Sequence, residues 1–225
     1  MSAPATAVDH DHQIRALLLP QLRARAEWVC EEFCCDGRVD LATIEGGLLC
    51  GYEIKGARDT LKRLFPTHHE LSQVAMYSHM LDRVTVVCAA NHVAACVDRL
   101  PAWWGVTVAA DGALAVVREG QQNPADTTPR LGWAMWTSEA RDLLREHDML
   151  RGARTRADLA NRMAALPPRV VRAAALDALK RRVWGPARKR KPTLHASSSA
   201  TPEVDAFAAP AHNPGARVVP TGGGQ

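Results

Sequence analysis

Asp40 and the run Glu53-Ile54-Lys55 carry the side chains in this chain best suited to chemistry: two carboxylates and an ammonium on what read as adjacent strands. The strands are Gly37-Arg38-Val39-Asp40-Leu41-Ala42-Thr43-Ile44 and Leu48-Leu49-Cys50-Gly51-Tyr52-Glu53-Ile54-Lys55. Gly46-Gly47 joins them, and a Gly-Gly pair suits the positive φ angles of a two-residue I′ turn. With those glycines as the turn, paired residue numbers sum to 93, so Asp40 faces Glu53 and Arg38 faces Lys55. The other face pairs Val39 with Ile54 and Leu41 with Tyr52 and reads as core. Directly opposed residues have Cβ atoms roughly 4.5–5.5 Å apart, and like charges so placed repel, so the two carboxylates need a cation beside them. A hard divalent cation prefers oxygen ligands, and a lysine next to it can orient or deprotonate a water. The competing reading is a solvated ladder of salt bridges among Arg38, Asp40, Glu53 and Lys55.

Asp40 followed across a short turn by Glu53-x-Lys55 resembles the signature of the PD-(D/E)XK nuclease superfamily. Its other common element, a helix carrying Gln-x-x-x-Tyr, is matched by Gln73-Val74-Ala75-Met76-Tyr77. Positions four apart share a helical face, so Gln73 and Tyr77 can address one site. The wider text, GRVDLATIEGGLLCGYEIKGARDTLKRL, then QVAMYSHMLDRVTVV and LPAWWGV, is similar to a family of largely uncharacterised bacterial and phage proteins within that superfamily, over roughly residues 13 to 183. Two departures stand out. The segment Phe65-Pro66-Thr67-His68-His69-Glu70 is longer than the family's usual step to the glutamine, and the upstream acidic residue is Glu27, Glu31 or Glu32, with Glu32 preferred.

The resemblance implies a restriction-endonuclease-like α/β (α+β) fold and metal-dependent hydrolysis of phosphodiester bonds, with DNA the expected substrate. Asp40 and Glu53 would hold Mg²⁺ or Mn²⁺ with the Ile54 carbonyl, joined by Glu32. Lys55 would position or activate the attacking water, with Gln73 and Tyr77 supporting the site and Arg38 and Arg58 contacting phosphates. Two alternatives stay open. One is a nuclease-fold protein that holds DNA with an idle site, although an idle site has no physical reason to keep two opposed carboxylates. The other is an interaction module in a defence or phage assembly.

The elements that must position these residues follow from periodicity. A helix is expected from about Ile14 to Phe33, kinked near Pro20, and a short one from Asp59 or Thr60 to about Pro66. Leu71, Val74, Tyr77, Met80 and Leu81 form an apolar stripe, which also offers Tyr77 a purely structural role in the core. Arg83 to Ala90 reads as a buried strand and His92 to Leu100 as a helix. Trp104 to Ala109 and Ala113 to Arg118 flank Asp111-Gly112, a strong hairpin signal. This order gives a mixed sheet with helices packed on it. Trp103 and Trp104 read as core or rim more readily than as base-stacking residues.

Length and charge suggest two modules. Residues 1 to 129 hold 11 Lys/Arg against 16 Asp/Glu, while residues 130 to 192 hold 16 against 6, a net +10. A basic appendage on an acidic module suits a nucleic-acid partner. The expected layout is a disordered 1–12, a nuclease-like domain over 13–119, a linker over 120–130, a basic helical module over 131–184, and a disordered tail over 185–225. In the module, Thr155-Arg156-Ala157-Asp158-Leu159 resembles the start of the second helix of SAP-like units, with Thr155 and Asp158 forming a capping box. Arg154, Arg156, Arg181, Arg182 and the run Arg188-Lys189-Arg190-Lys191 are further candidate phosphate contacts. Six cysteines without a CxxC pair, and no signal peptide, read as a reduced cytoplasmic protein. No apolar run approaches the roughly 20 residues that cross a membrane.

Overall fold

The computed structural model describes residues 10–35, 37–66 and 72–182. Helix α1 (Asp11–Arg25) buries Ile14, Leu18 and Leu22, one residue per turn along a single face, and tolerates Pro20 within it. The chain then enters strand β1 (Trp28–Cys34), so the single helix expected to reach Phe33 is replaced from residue 28 by an edge strand. Its backbone pairs with strand β2 (Arg38–Glu45), and β2 pairs with β3 (Leu48–Lys55), both antiparallel.

Gly46 and Gly47 have φ of 57° and 75°, the left-handed values a tight turn demands. The pairs Glu45–Leu48 through Leu41–Tyr52 all sum to 93, as the turn dictates. Residues 56 to 66 form turns rather than the expected short helix, closed by the Gly56 N–H donating to Asp59 Oδ2 at 2.6 Å. Helix α2 (Gln73–Met80) starts at Ser72, whose hydroxyl accepts from the Ala75 N–H. Strand β4 (Arg83–Ala89), helix α3 (Val93–Arg99) and the hairpin of β5 (Gly105–Ala110) and β6 (Ala113–Arg118) complete a six-stranded mixed sheet in chain order, with β3, β4 and β5 mutually parallel.

Helices α4 (Thr128–Ala134), α5 (Thr137–Glu146), α6 (Arg156–Met163) and α7 (Pro168–Arg181) follow. Thr155 caps α6, with its hydroxyl accepting from the Asp158 N–H, in the box its spacing announces. The sheet carries two apolar layers. Ile14, Leu18 and Leu22 of α1 pack with Leu41, Tyr52, Ile54 and Val87 on one face. On the other, Val84, Val86 and Val106 share a continuous core with Tyr77, Leu131, Leu144, Leu159 and Leu179. The helical part therefore packs on the sheet's own core instead of standing apart as a module. The stretch read as a linker is tied down: Asn123 donates its side-chain amide to the carbonyls of Ser78 and Leu81, at 2.7 and 2.9 Å. Among the described residues no helix is long and apolar enough to cross a membrane.

Candidate functional site

At the open end of the β2–β3 hairpin the ladder stops at Leu41–Tyr52 and the strands part. The Asp40 carboxylate enters the gap, where its Oδ2 accepts the Ile54 N–H at 2.7 Å. That bond replaces the regular pairing expected between Asp40 and Glu53 and between Val39 and Ile54. Val39 is buried in the layer opposite Leu41 and Ile54, so the alternation of β2 breaks at Asp40. Arg38 does not face Lys55 either: its side chain is 66 % exposed and pairs with Glu32 at 2.9 Å.

Asp40, Glu53, Lys55, Gln73, Arg38 and the Ile54 backbone line one cleft of about 530 Å³, closed at its other side by Asp59, Thr60 and Arg63. Glu53 lies at its floor with only 3 % of its side chain exposed. Lys55 Nζ donates to Glu53 Oε1 at 2.5 Å, and Gln73 Nε2 donates to the same oxygen at 2.9 Å. The Tyr77 hydroxyl stands 2.9 Å from Glu53 Oε2 and 2.7 Å from the Arg38 carbonyl, and accepts from Gln73 Nε2 at 2.9 Å. With one proton, it donates to one of those two oxygens at a time. Its ring is fully buried and stacked on Trp104, with centroids 6.2 Å apart, so Tyr77 is both a core residue and part of the site. Burial and the Glu53 charge raise its pKa, so the hydroxyl stays neutral and able to donate.

The electrostatics centre on Asp40. Burial, then repulsion from Glu53, push its carboxyl up to about 7 against the pull of the Ile54 N–H, Lys55 and Arg15. Arg15 was not foreseen from the sequence. Its guanidinium reaches from α1 to Asp40 Oδ1 at 3.4 Å, to the Asp40 carbonyl at 3.1 Å, and to Glu31 and Glu32 at 3.3 and 3.0 Å. Being the only Lys or Arg among the first 22 residues was its one signal. Glu32, the preferred upstream acid, is held by Arg15 and Arg38 and does not line the cleft.

The residues fit a hard divalent cation in two respects. Asp40 and Glu53 are converging oxygen donors whose repulsion a cation would relieve, and Gln73 Oε1 is buried with no hydrogen-bond partner. The fit is a two-carboxylate one: among the described residues no group of three or more His, Cys, Asp or Glu is placed to hold a metal.

Of the basic residues, Arg38 lines the cleft and Arg58, Arg154 and Arg181 are exposed. Arg156 and Arg182 are used internally. Arg156 donates to the Trp133 and Met135 carbonyls. Arg182 pairs with Glu139 at 2.5 Å, its side chain 6 % exposed beneath Trp136. The run Arg188 to Lys191 lies outside the described residues. Trp104 is buried, and Trp103 is half-buried against the core.

The comparison with curated proteins gives no match. Among solved structures, a protein of unknown function from Silicibacter pomeroyi aligns over 64 % of this chain and 94 % of its own at 20 % identity, with a TM-score of 0.41, a likeness too remote to bear on function. The family model described as Bacteriophage P4 protein cII matches residues 9–190, a span that contains every described residue, and the chain belongs to that family.

Proposed function

We propose that the chain is a metal-dependent nuclease of PD-(D/E)XK type that hydrolyses phosphodiester bonds, with DNA as its first-choice substrate. One observation carries the reading: Asp40 and Glu53, from two strands, converge with Lys55 in one cleft, with Gln73 and Tyr77 of α2 buttressing Glu53. Mg²⁺ or Mn²⁺, held by the two carboxylates with the Ile54 carbonyl, would acidify a water and offset phosphate charge. Lys55 supplies a fixed ammonium at the cleft floor that can orient the attacking water and donate to a phosphate oxygen. Gln73 and Tyr77 fix the rotamer of Glu53. Arg38 at the mouth and Arg63 on the far wall supply charge that draws the backbone of a nucleic acid inward.

A second reading has its own support. The Glu53 oxygens are both engaged by protein donors, and Asp40 has the Ile54 N–H and Arg15, a satisfied network that would also suit a nucleic-acid-holding scaffold with an idle site. Cleavage assays on supercoiled, linear and single-stranded DNA, with Mg²⁺, Mn²⁺ or chelator, separate the two. The nuclease reading expects metal-dependent cleavage that Asp40→Ala and Lys55→Ala each abolish. Binding without cleavage on every substrate, or cleavage that survives both substitutions, establishes the scaffold instead.

A further inference from the structure

The face of the sheet that carries α1 holds a second cleft, of about 400 Å³, between α1 and β6. Its floor is the outward row of the central strands, Tyr52, Thr85, Val87 and Thr107, and Arg83 and Arg118 enter it from β4 and β6. The cleft walls are more polar than a core surface, and their charges are unevenly satisfied. Glu45 is fully engaged, by Arg25 at 3.2 Å, the Tyr52 hydroxyl at 2.9 Å and the Thr43 hydroxyl at 2.6 Å. Arg118 is spent on three backbone carbonyls, those of Trp104, Val97 and Pro101, at 2.8 to 3.2 Å, which fix its position, and among the described residues its charge meets no carboxylate. Glu119 is exposed at the rim.

Arg83 is different. Its Nε is buried and has no hydrogen-bond partner, and no carboxylate pairs with it among the described residues. A buried donor without a partner costs about 1–3 kcal/mol, and the guanidinium it belongs to meets no carboxylate among the described residues that would offset its charge. The stem of Arg83 runs close by the backbone of Gly120, where an added Cβ would come within 3.2 Å of its Cγ, so its approach to the cleft is sterically defined.

We infer that this cleft binds a small organic oxyanion, a phosphate monoester or a carboxylate, with the guanidinium of Arg83 as the ligating cation. Arg118 contributes long-range positive charge, and the Thr85 and Thr107 hydroxyls line the floor as the available neutral donors. The size fits a molecule of nucleoside-monophosphate scale, within the range of ordinary small-ligand pockets. With Nε buried, the outer Nη1–Nη2 edge of the guanidinium is the one that can match the two oxygens of a phosphate or carboxylate, in a fork that no lysine reproduces. Tyr52 on this floor is the chain neighbour of Glu53, whose side chain points to the opposite face, so an occupant here would press on the strand that carries the candidate nuclease site. The inference stands whether or not that site cleaves nucleic acid.

The test uses thermal melts and calorimetry of the full chain with inorganic phosphate, adenosine monophosphate and succinate, at constant ionic strength with sodium chloride as control. At a hundredfold excess over the dissociation constant, a bound ligand raises the melting temperature of a chain this size by about 5–10 °C. A saturable rise with phosphate and the nucleotide identifies a phosphoryl ligand, and one with succinate alone identifies a carboxylate. Arg83→Met is expected to melt at or above the wild type without ligand, because the orphaned donor is gone, and to lose the ligand response. Arg83→Lys keeps charge and stem but loses the fork, and is expected to bind at least tenfold more weakly. No saturable response to any of the three probes overturns the inference, as does an undiminished response in both variants. A loss of several degrees in ligand-free Arg83→Met also overturns it, since Arg83 would then be a structural residue.

Discussion

Asp40 is pulled by opposite demands, since burial and Glu53 disfavour its charge while the Ile54 N–H and Arg15 favour it, and the balance leaves its carboxyl near 7. A carboxyl whose folded pKa lies above its unfolded value costs stability once ionised. The penalty is absent below about pH 4, grows as the pH rises toward 7, and is complete above that. Asp40→Asn is therefore expected to stabilise the metal-free protein at pH 8, by on the order of 3 kcal/mol relative to its effect at pH 4.5, in melts at both pH values. An equal effect at the two pH values would remove the electrostatic argument. If Asp40 holds a metal, as proposed, the metal must displace the same proton, so its affinity should weaken close to tenfold for each unit below pH 7, which calorimetry with Mn²⁺ measures. Tyr77 gives a second residue-scale test. Tyr77→Phe keeps the ring on Trp104 but leaves Glu53 Oε2 and the Arg38 carbonyl without its hydroxyl, a loss of about 1–3 kcal/mol in a denaturant melt. The five residues Asp40, Glu53, Lys55, Gln73 and Tyr77 were legible because their chemical types recur at fixed spacing around one turn and one helix. Arg15 was not, because no spacing rule connects a helical arginine to a carboxylate 25 positions away.

At the scale of elements, the hairpin could be read because glycine accepts the turn's positive φ angles without steric cost, and the turn then sets the pairs from Glu45–Leu48 to Leu41–Tyr52. The parting of the strands at Asp40 could not. It depends on a side chain outcompeting a neighbouring carbonyl for the Ile54 N–H, a contest that residue types do not decide. The stretch Trp28–Cys34 was misread for a related reason. Its run Trp-Val-Cys-Glu-Glu-Phe-Cys carries no alternation of apolar and acidic residues, and what makes it a strand is the free edge of β2, a tertiary partner that overrides local preference. Gly51 illustrates how tightly these elements fit. An added Cβ there would lie 2.4 Å from Leu81 Cδ1 and 3.4 Å from Val39 Cγ2, so glycine lets the end of α2 close onto β3 behind the cleft. Gly51→Ala is expected to destabilise by about 1–3 kcal/mol and to reduce any cleavage activity, because the displaced Leu81 shifts the helix that carries Gln73 and Tyr77. A melt unchanged within half a kcal/mol would show that Leu81 simply swings aside.

Across the whole molecule, the change in charge after residue 129 suggested a detachable basic module, yet charge reports on surfaces and says nothing of what lies beneath them. The buried carboxylate of Asp82 marks the join. It accepts the Leu49 N–H at 2.7 Å and the Thr127 hydroxyl at 2.5 Å, and pairs with Arg172 of α7, which also donates to the Gly47 carbonyl at the hairpin turn. Removing Arg172 leaves that charge uncompensated, at a cost of about 3–5 kcal/mol, and removing all of α4 to α7 also strips Leu131, Leu144, Leu159 and Leu179 from the shared core. Typical total stabilities are about 5–15 kcal/mol, so a chain ending at residue 129 is expected to have no cooperative melt, and binding data from it would report an unfolded polypeptide. A chain ending at residue 182 keeps every described element and isolates the basic run Arg188 to Lys191. It is expected to melt like the full chain and, if that run grips duplex DNA, to lose up to about 3–4 units of the log–log salt slope of binding. A cooperative melt from the 129-residue chain would restore the two-module layout. An unchanged slope in the 182-residue chain would shift the electrostatic grip to the arginines around the cleft.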